Sequence, residues 1–214
     1  MDLKFVETAP NNANQQTIKR DNKRPLQILN AAIELFRDCG FEATRLEDVA
    51  DKAGVSKATI YLYFESKEDL FFALIREKVV PMLEQTIAQA DAFQGPASEF
   101  LRMKAKGVGR LFAHSEQGAI LKLVISEARR FPDLSDYYRA EVPERGLENL
   151  SDMIRRGIDE GEFRECDTKA AAAAFMFPLL MTGIWMNSVG PDDIVHPDET
   201  IDFHCENFIR GLQV

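Results

Sequence analysis

The sequence predicts an all-α protein, and three observations support this fold class. Apolar residues recur at helical spacing, short capping sequences precede several of these segments, and no stretch alternates β-branched and polar residues between turn signals. The chain has 214 residues, of which 45% are hydrophobic and 29% are charged, a composition typical of a folded globular protein. We expect a small N-terminal domain of short helices followed by a larger helical domain.

The first predicted helix follows a polar tail. Residues 1–21 show no periodicity and are rich in Asn and Gln, so we expect a flexible tail there. After it, one face of a helix is marked by Leu29, Ala32, Ile33 and Phe36. Pro25 suits the first turn of this helix, and Gly40 suits its end.

Three capped segments come next. Thr44 to Glu47 has the pattern of a capping box, in which the Glu47 side chain returns to the amide of the capping residue. Ser56 can cap a second short helix, and Ser66 to Asp69 repeats the capping-box pattern before an apolar run. From about Pro81 the helices lengthen, with breaks at Gln94–Pro96, Phe131–Pro132, Pro143, Gly161 and Gly190–Pro191.

Residues 46–63 fit two short helices that cross steeply. Ala50 is small enough for the crossing, and Gly54 tolerates the backbone of a tight turn. The inner faces are predicted to bury Val49, Ala53, Val55 and Ile60. The second helix then exposes a polar and aromatic face that fits a DNA major groove, formed by Lys57, Ala58, Thr59, Tyr61 and Tyr63. An ordinary corner between two helices is the alternative.

Charge is distributed unevenly along the chain. The formal net charge of −9 argues by itself against nucleic acid, but residues 1–80 hold 12 basic and 13 acidic side chains, whereas residues 81–214 hold 14 and 22. The acidity therefore belongs to the later part. A basic entry segment, either a solvated arm or a phosphate-contacting one, consists of Lys19, Arg20, Lys23 and Arg24.

The stretch from about Arg24 to Ile75 resembles the DNA-binding domain of TetR-family transcriptional regulators. The residues that carry the resemblance are AGVSKATIYLYF, at positions 53–64, followed by Ser66-Lys67-Glu68. Ala58 departs from the family pattern, since many relatives have Gly there. Because Ala is an excellent helix former, we expect no loss of function from this change.

The resemblance implies a division of the chain and a set of DNA contacts. It implies a helix-turn-helix domain over residues 22–80 and a helical effector-binding and dimerisation domain over residues 81–214, although the second half resembles the family's ligand domains only loosely. Thr44 would cap the first short helix and present its N-terminus to a phosphate, and Tyr63 and Lys67 would contact backbone phosphates. The complete expected set is Thr44, Arg45, Ser56, Lys57, Ala58, Thr59, Tyr61, Tyr63 and Lys67. For each, a packed or solvated side chain is the alternative.

Residues 170–191 contain no charged side chain, and their length permits a membrane span. Because alanine is a weak membrane driver and Pro178 and several polar residues interrupt the run, we favour a buried helix that Asp167 or Thr168 caps. The last helix has an apolar stripe of Ile201, Cys205, Phe208 and Leu212. Two such helices suit a two-fold interface, and TetR relatives dimerise through their last two long helices, which implies a homodimer here.

Methionine and aromatic side chains are frequent in the second half of the chain. They adapt to varied apolar ligands, so we predict a pocket for a small apolar effector lined by Phe100, Met103, Phe112, Phe177, Met181 and Trp185. Simple core packing is the alternative for each residue. A kink at Pro178, which lacks an amide proton, would be one way to open a cavity.

These features predict a ligand-responsive, cytoplasmic DNA-binding regulator rather than an enzyme or a membrane protein. The resemblance implies a homodimeric repressor that a small molecule releases from a near-palindromic operator, with no catalytic residue, cofactor or metal. For an enzyme, Gly107-Val-Gly109 lacks the third glycine of a dinucleotide loop. His114, His196 and His204 lack close metal-ligand spacing. A metal site where His196, His204 and Cys205 meet is an alternative, but separated, solvated histidines are far more common. A membrane-bound adaptor is the other alternative, and it rests only on the uncharged run.

Overall fold

A computed structural model of the protein describes residues 23–190 and 196–214. These residues form eleven α-helices and no β-strand, so the predicted all-α fold is confirmed. Two compact units divide the chain between Leu70 and Phe71. The predicted domain boundary, after residue 80, lies later in the chain. The predicted tail over residues 1–21, which includes Lys19 and Arg20, lies outside the described residues.

The first unit is built from short helices around a small apolar core. Its helices are α1 (Arg24–Ala43), α2 (Leu46–Lys52) and α3 (Lys57–Tyr63), and α4 (Lys67–Leu74) begins within it. The predicted face of α1 is buried as expected, at Leu29, Ala32, Ile33 and Phe36. Gly40 has a φ of +80°, which interrupts the helical backbone near the end of α1, where the sequence predicts the helix to stop.

The caps of these helices confirm one prediction and correct another. The Ser56 hydroxyl accepts the N–H of Thr59 at 3.1 Å and so caps α3. Thr44 does not cap α2: that position belongs to Arg45, whose backbone N–H is accepted by Asp48 at 3.2 Å. The Thr44 hydroxyl instead donates to the carbonyl of Gly40 at 2.8 Å, because Thr44 closes the end of α1 and is buried there.

The second unit is a larger helical bundle. After a π-helical segment at Ile75–Val79 come α5 (Val80–Ala92), α6 (Ala97–His114), α7 (Glu116–Glu127) and α8 (Pro132–Arg139). A second π-helical segment, Ala140–Glu144, leads into α9 (Arg145–Asp159), α10 (Thr168–Met186) and α11 (Pro197–Leu212). Helix α6 packs against both α10 and α11, and α10 also packs against α9.

Helices α6 and α11 lie close together for a steric reason. Gly109 stands where a Cβ atom would meet the side chain of Ile201. The two helices are also joined by the Arg102 guanidinium, which donates to both carboxylate oxygens of Glu206 at 2.7 and 3.2 Å. Gly107 and Gly109 therefore lie inside a packed helix, and a phosphate-binding loop would need them at a turn.

The apolar stripe of α11 faces the core of its own unit, which corrects its assignment to the dimer interface. Ile201, Cys205 and Leu212 are buried there, and Phe208 packs against the same cluster. A periodic apolar stripe marks the face that a helix buries, and here the covering surface is α6 and α10 of the same chain. The side of α11 that faces away from this core carries Phe203, which is 74% exposed.

Helix α10 is long and apolar enough to cross a membrane by length and composition. Asp167 caps it, accepting the N–H groups of Lys169 and Ala170 at 3.0 and 3.1 Å, as one of the two predicted caps. Ala172, Phe175 and Leu179 pack into the core of the bundle. The same helix also leaves apolar side chains exposed, among them Phe177 and Met181.

Candidate nucleic-acid interface and ligand cavity

Helices α2 and α3 form a helix-turn-helix with the predicted turn. Gly54 has a φ of +66°, which favours glycine, and its N–H donates to the carbonyl of Asp51 at 3.1 Å. The N–H of Val55 then donates to the carbonyl of Ala50 at 2.9 Å. Ala50 and Ile60 are fully buried, so the crossing of the two helices is closely packed. The turn thereby fixes the direction in which α3 leaves it.

One face of α3 is open to solvent. Most of the residues expected to contact DNA lie on or beside it: Arg45, Ser56, Lys57, Ala58 and Tyr61 are exposed, and Thr59 and Tyr63 are half-buried. Leu62, which sequence reasoning missed, is 82% exposed. Its position four residues after Ala58 places it on the same helical face, and this spacing was the signal available in the sequence. An exposed leucine there suits contact with a thymine methyl group.

Glu47 positions two side chains of this face. Its carboxylate lies 2.6 Å from Nζ of Lys57, and the Tyr61 hydroxyl donates to the same oxygen at 3.4 Å. The hydrogen bond from Lys57 lowers the pKa of the Glu47 carboxyl and raises the pKa of Lys57. Glu47 therefore orients Lys57 and Tyr61 on this exposed face and does not act as the partner of a capping box, since Asp48 takes that position.

Lys67 has a structural role that corrects its assignment as a phosphate contact. Its Nζ donates to the carbonyls of Phe41, Glu42 and Thr44 at 2.6, 3.2 and 3.0 Å, and it lies over the Phe41 ring. An ammonium group has three N–H donors, and all three are used on carbonyls at the end of α1. None is left for a phosphate, so Lys67 closes the end of the helix that precedes the helix-turn-helix.

The second unit contains a cavity of about 580 Å³, within the range of small-molecule sites. Two of the predicted pocket residues, Phe100 and Met103, line it. The other lining residues come from α5, α6 and the loop between them: Met82, Thr86, Gln89, Ala92, Phe93, Lys104, Gly107, Val108 and Leu111.

A smaller cavity of about 100 Å³ adjoins the first and shares several of its residues, including Thr86 and Lys104. Phe112 and Phe177, also predicted, line this second cavity together with Tyr138. Met181 and Trp185 line neither cavity, which corrects their assignment to the pocket. They follow Phe177 along α10 by one and two further turns, beyond the part of the helix that reaches the cavities.

The side chain of His204, a candidate metal ligand in the sequence, makes contacts within the protein. One of its ring nitrogens lies 2.9 Å from the carbonyl oxygen of Phe175, and its ring packs beside Phe208. Within residues 23–190 and 196–214 no three His, Cys, Asp or Glu side chains are placed so as to hold a metal ion together.

Comparison with known proteins identifies the family. Residues 28–74 match the model for bacterial regulatory proteins of the tetR family, and residues 99–209 match the C-terminal domain of AefR-like transcriptional repressors. The fatty acid metabolism regulator protein of Bacillus subtilis is 40% identical over 149 residues, which cover 67% of this chain and 73% of that protein. The chain belongs to the TetR family of transcriptional regulators.

Solved structures share the fold. FadR from Bacillus subtilis in complex with stearoyl-CoA has a TM-score of 0.67 at 22% identity, over 88% of this chain and 99% of that one. A protein from Saccharomonospora viridis in complex with choline has a TM-score of 0.74 at 23% identity, over 88% and 96% of the two chains.

The TetR-family match includes the whole helix-turn-helix. Residues 28–74 run from within α1 to the end of α4, so they contain α2, the Gly54 turn and α3. The second match runs from α6 into α11 and so includes the helices that line the cavities from one side. The protein is therefore a DNA-binding transcriptional regulator, and the relatives that it matches are named as regulators.

Proposed function

We propose that this TetR-family protein is a homodimeric repressor that a small, largely apolar molecule releases from a near-palindromic operator. The observation that carries the proposal is the cavity of about 580 Å³, which lies in the unit without the helix-turn-helix. Its walls are mainly Met, Phe, Val and Leu side chains. A cavity of this size and lining in a DNA-binding regulator supports a small-molecule effector.

The DNA side of the proposal rests on α3. We assign reading of base edges to its exposed groove-facing side chains, Lys57, Ala58, Thr59, Tyr61 and Leu62, and positioning on the phosphates to Arg45, Ser56 and Tyr63. Thr44 and Lys67 are not in this set, because both are committed to the end of α1. The acidic second half, which makes no DNA contact in this scheme, keeps other faces away from the phosphates.

The relatives support both halves of the proposal. The family model for residues 99–209 is named for a transcriptional repressor, which supports repression here. Two structural neighbours were solved with stearoyl-CoA and with choline, and these complexes support a small-molecule effector here. We also propose a cytoplasmic location, because a bacterial regulator must reach its operator DNA there.

The dimer surface is assigned to the outward faces of α10 and α11. Phe177, Met181 and Phe203 are 57%, 58% and 74% exposed, which leaves large apolar side chains in contact with water on both helices. Clusters of this kind commonly mark protein interfaces. A two-fold pairing of these faces would present two α3 helices to two half-sites.

The effector would act by shifting a population. A molecule that fits best in a conformation whose two α3 helices are misaligned draws the dimer away from the DNA-competent form. Its effect cannot exceed the difference between its affinities for the two forms, about 1–3 kcal/mol in typical cases. By reciprocity, operator DNA weakens effector binding by the same factor.

DNA selection from random duplexes with the purified protein tests the proposal. We expect one near-palindromic sequence to be enriched, and we expect members of an apolar compound library to weaken binding to it by roughly 5–150-fold. A reporter gene placed behind the selected sequence should be repressed until such a compound is added. Enrichment of a sequence without any compound effect would contradict the effector proposal and leave a constitutive DNA-binding protein.

A further inference from the structure

Lys104 is the charged side chain least compatible with its surroundings. It lies on α6, is only 7% exposed, and lines both cavities of the second unit. Its Nζ has no hydrogen-bond acceptor and no carboxylate partner among the described residues, and it lies over the face of the Phe100 ring, 5.8 Å from the ring centroid. A buried ammonium group without an anion is costly, which favours a partner that arrives from outside.

The cavity walls supply no anion for Lys104. None of the described residues that line the two cavities is an aspartate or a glutamate. Thr86, the hydroxyl that α5 contributes to both cavities, donates to the carbonyl of Met82 at 2.9 Å and carries no charge. The cavities therefore combine mainly apolar walls with a single unpaired positive charge.

A second polar group lines the smaller cavity. Tyr138 lines the smaller cavity together with Lys104. Burial raises the pKa of its hydroxyl to about 12, so the group stays protonated and can donate a hydrogen bond. Burial lowers the pKa of Lys104 to about 8, so at neutral pH the ammonium remains mostly charged. A charged donor and a neutral donor that line one cavity form a site for an anionic oxygen.

We propose that Lys104 binds the anionic group of the effector, so that the effector is an amphipathic anion: a carboxylate or phosphate ester joined to an apolar chain. The inference rests on the proposed effector function and adds the charge of the ligand to it. The anion would lie against Lys104 and Tyr138, where the two cavities adjoin, and the apolar chain would occupy the larger cavity along Phe100 and Met103.

Four probes with one chain length separate charge from hydrophobicity. Calorimetric titration of the full-length protein at pH 7 uses dodecanoate, dodecyl phosphate, 1-dodecanol and dodecyltrimethylammonium, all below their micelle concentrations. We expect at least one of the two anions to bind roughly 10–100-fold more tightly than dodecanol, the range for a buried hydrogen bond to a charged group. The better of the two anions tells carboxylate from phosphate as the natural head group.

Three variants test whether Lys104 is the cause. Lys104→Met should abolish the preference for the anion and leave dodecanol affinity within about threefold, because the methionine keeps the apolar wall. Lys104→Arg should retain the preference. Lys106→Met is the matched control, since Lys106 lies on the same helix but is exposed and stands 3.8 Å from Asp202; its anion preference should equal that of the wild type.

Three results would overturn the inference: equal binding of dodecanol and both anions to the wild type, an anion preference that survives in Lys104→Met, or no binding of any probe. If dodecanol or the cationic probe binds and weakens operator binding without any advantage for the anions, the effector proposal stands and only the charge assignment falls. If no probe binds, the assignment of the site falls, and operator release by the wider apolar library still decides the effector proposal.

Discussion

The charged groups of Lys57 and Lys104 have opposite surroundings. Lys57 lies at the surface and is paired with Glu47 at 2.6 Å, where water screens the pair and its contribution to stability is small. Lys104 is buried beside apolar walls, and loss of water lowers its pKa to about 8. The first lysine is therefore held in place at the surface, whereas burial of the second lowers the stability of the folded protein.

The pKa of Lys104 predicts how stability changes with pH. The group loses its proton near pH 8 in the folded protein but near 10.5 when unfolded, so the unfolded chain holds more protons between these values. Lys104 by itself should therefore contribute a rise in the free energy of unfolding with pH through this window. Lys104→Met should lack this rise and should exceed the wild type by about 1–3 kcal/mol at pH 7.

Urea unfolding from pH 7 to 10, followed by the emission of Trp185, measures this effect. The difference between wild type and variant isolates Lys104 from Tyr138 and Cys205, whose pKa values burial raises to about 12 and 11. Those two groups act in the opposite direction, because their protons leave the unfolded chain first. Identical unfolding free energies for both proteins at every pH would contradict the burial of an unpaired charge.

At the scale of helices, the end of α1 is closed by a residue from α4. The three carbonyls that receive the Lys67 ammonium belong to the last turn of α1 and the residue after it, where a helix leaves its carbonyls without partners. Gly40 has already turned the backbone there, and the Thr44 hydroxyl satisfies one more carbonyl. This closure sets where α2 begins and so supports the helix-turn-helix.

We expect Lys67→Met to destabilise the first unit by roughly 1–3 kcal/mol, because carbonyls near the end of α1 lose a charged donor. Circular dichroism during thermal unfolding measures the loss. The slope of log affinity against log salt on the selected duplex should stay unchanged, whereas Lys57→Met serves as the comparison that alters DNA binding directly. If Lys67→Met flattens the slope of log affinity against log salt by about one and leaves the unfolding temperature unchanged, Lys67 is a phosphate contact after all.

For the whole molecule, the covered and uncovered apolar faces of α10 and α11 have different uses. The covered faces build the core of the second unit, and the uncovered ones, with Phe177, Met181 and Phe203, are assigned to a second copy of the chain. Pairing through these faces would couple two helix-turn-helix motifs in one particle. Loss of the dimer should then remove operator binding as well.

We expect Phe203→Asp to convert the protein to a monomer, because a charge would be buried without a partner at the proposed interface. Sedimentation at micromolar concentration should show the change, and operator affinity should fall with it. Ile125→Asp is the control: Ile125 is 54% exposed on α7, a helix that is not part of the assigned dimer surface, so this variant should remain dimeric. Wild-type protein that sediments as a monomer would refute the assignment.

The sequence by itself determined the helical fold class, the helix-turn-helix and the family. The helical spacing of Leu29 and Phe36, the Gly54 turn and the Ser56 cap depend on residues within a few positions of one another. Because the interacting residues are close in sequence, their spacing and residue types suffice to predict such short-range interactions. The predicted cap of α2 was wrong because Thr44 and Arg45 are adjacent and either could precede the first residue of the helix. The hydrogen bond from Thr44 to Gly40 decides between them, and it forms only in the folded structure.

Only the tertiary structure decided which side chains were already in use. Lys67 meets Phe41 across 26 positions of sequence, and the stripe that contains Ile201 meets Gly109 across a still longer separation. An apolar stripe looks the same whether a helix of its own chain or a second subunit covers it, and a lysine looks the same whether carbonyls, water or a ligand surround it. Lys104 lines a cavity because helices distant in sequence pack around it, so the spacing of residues along α6 cannot predict this position.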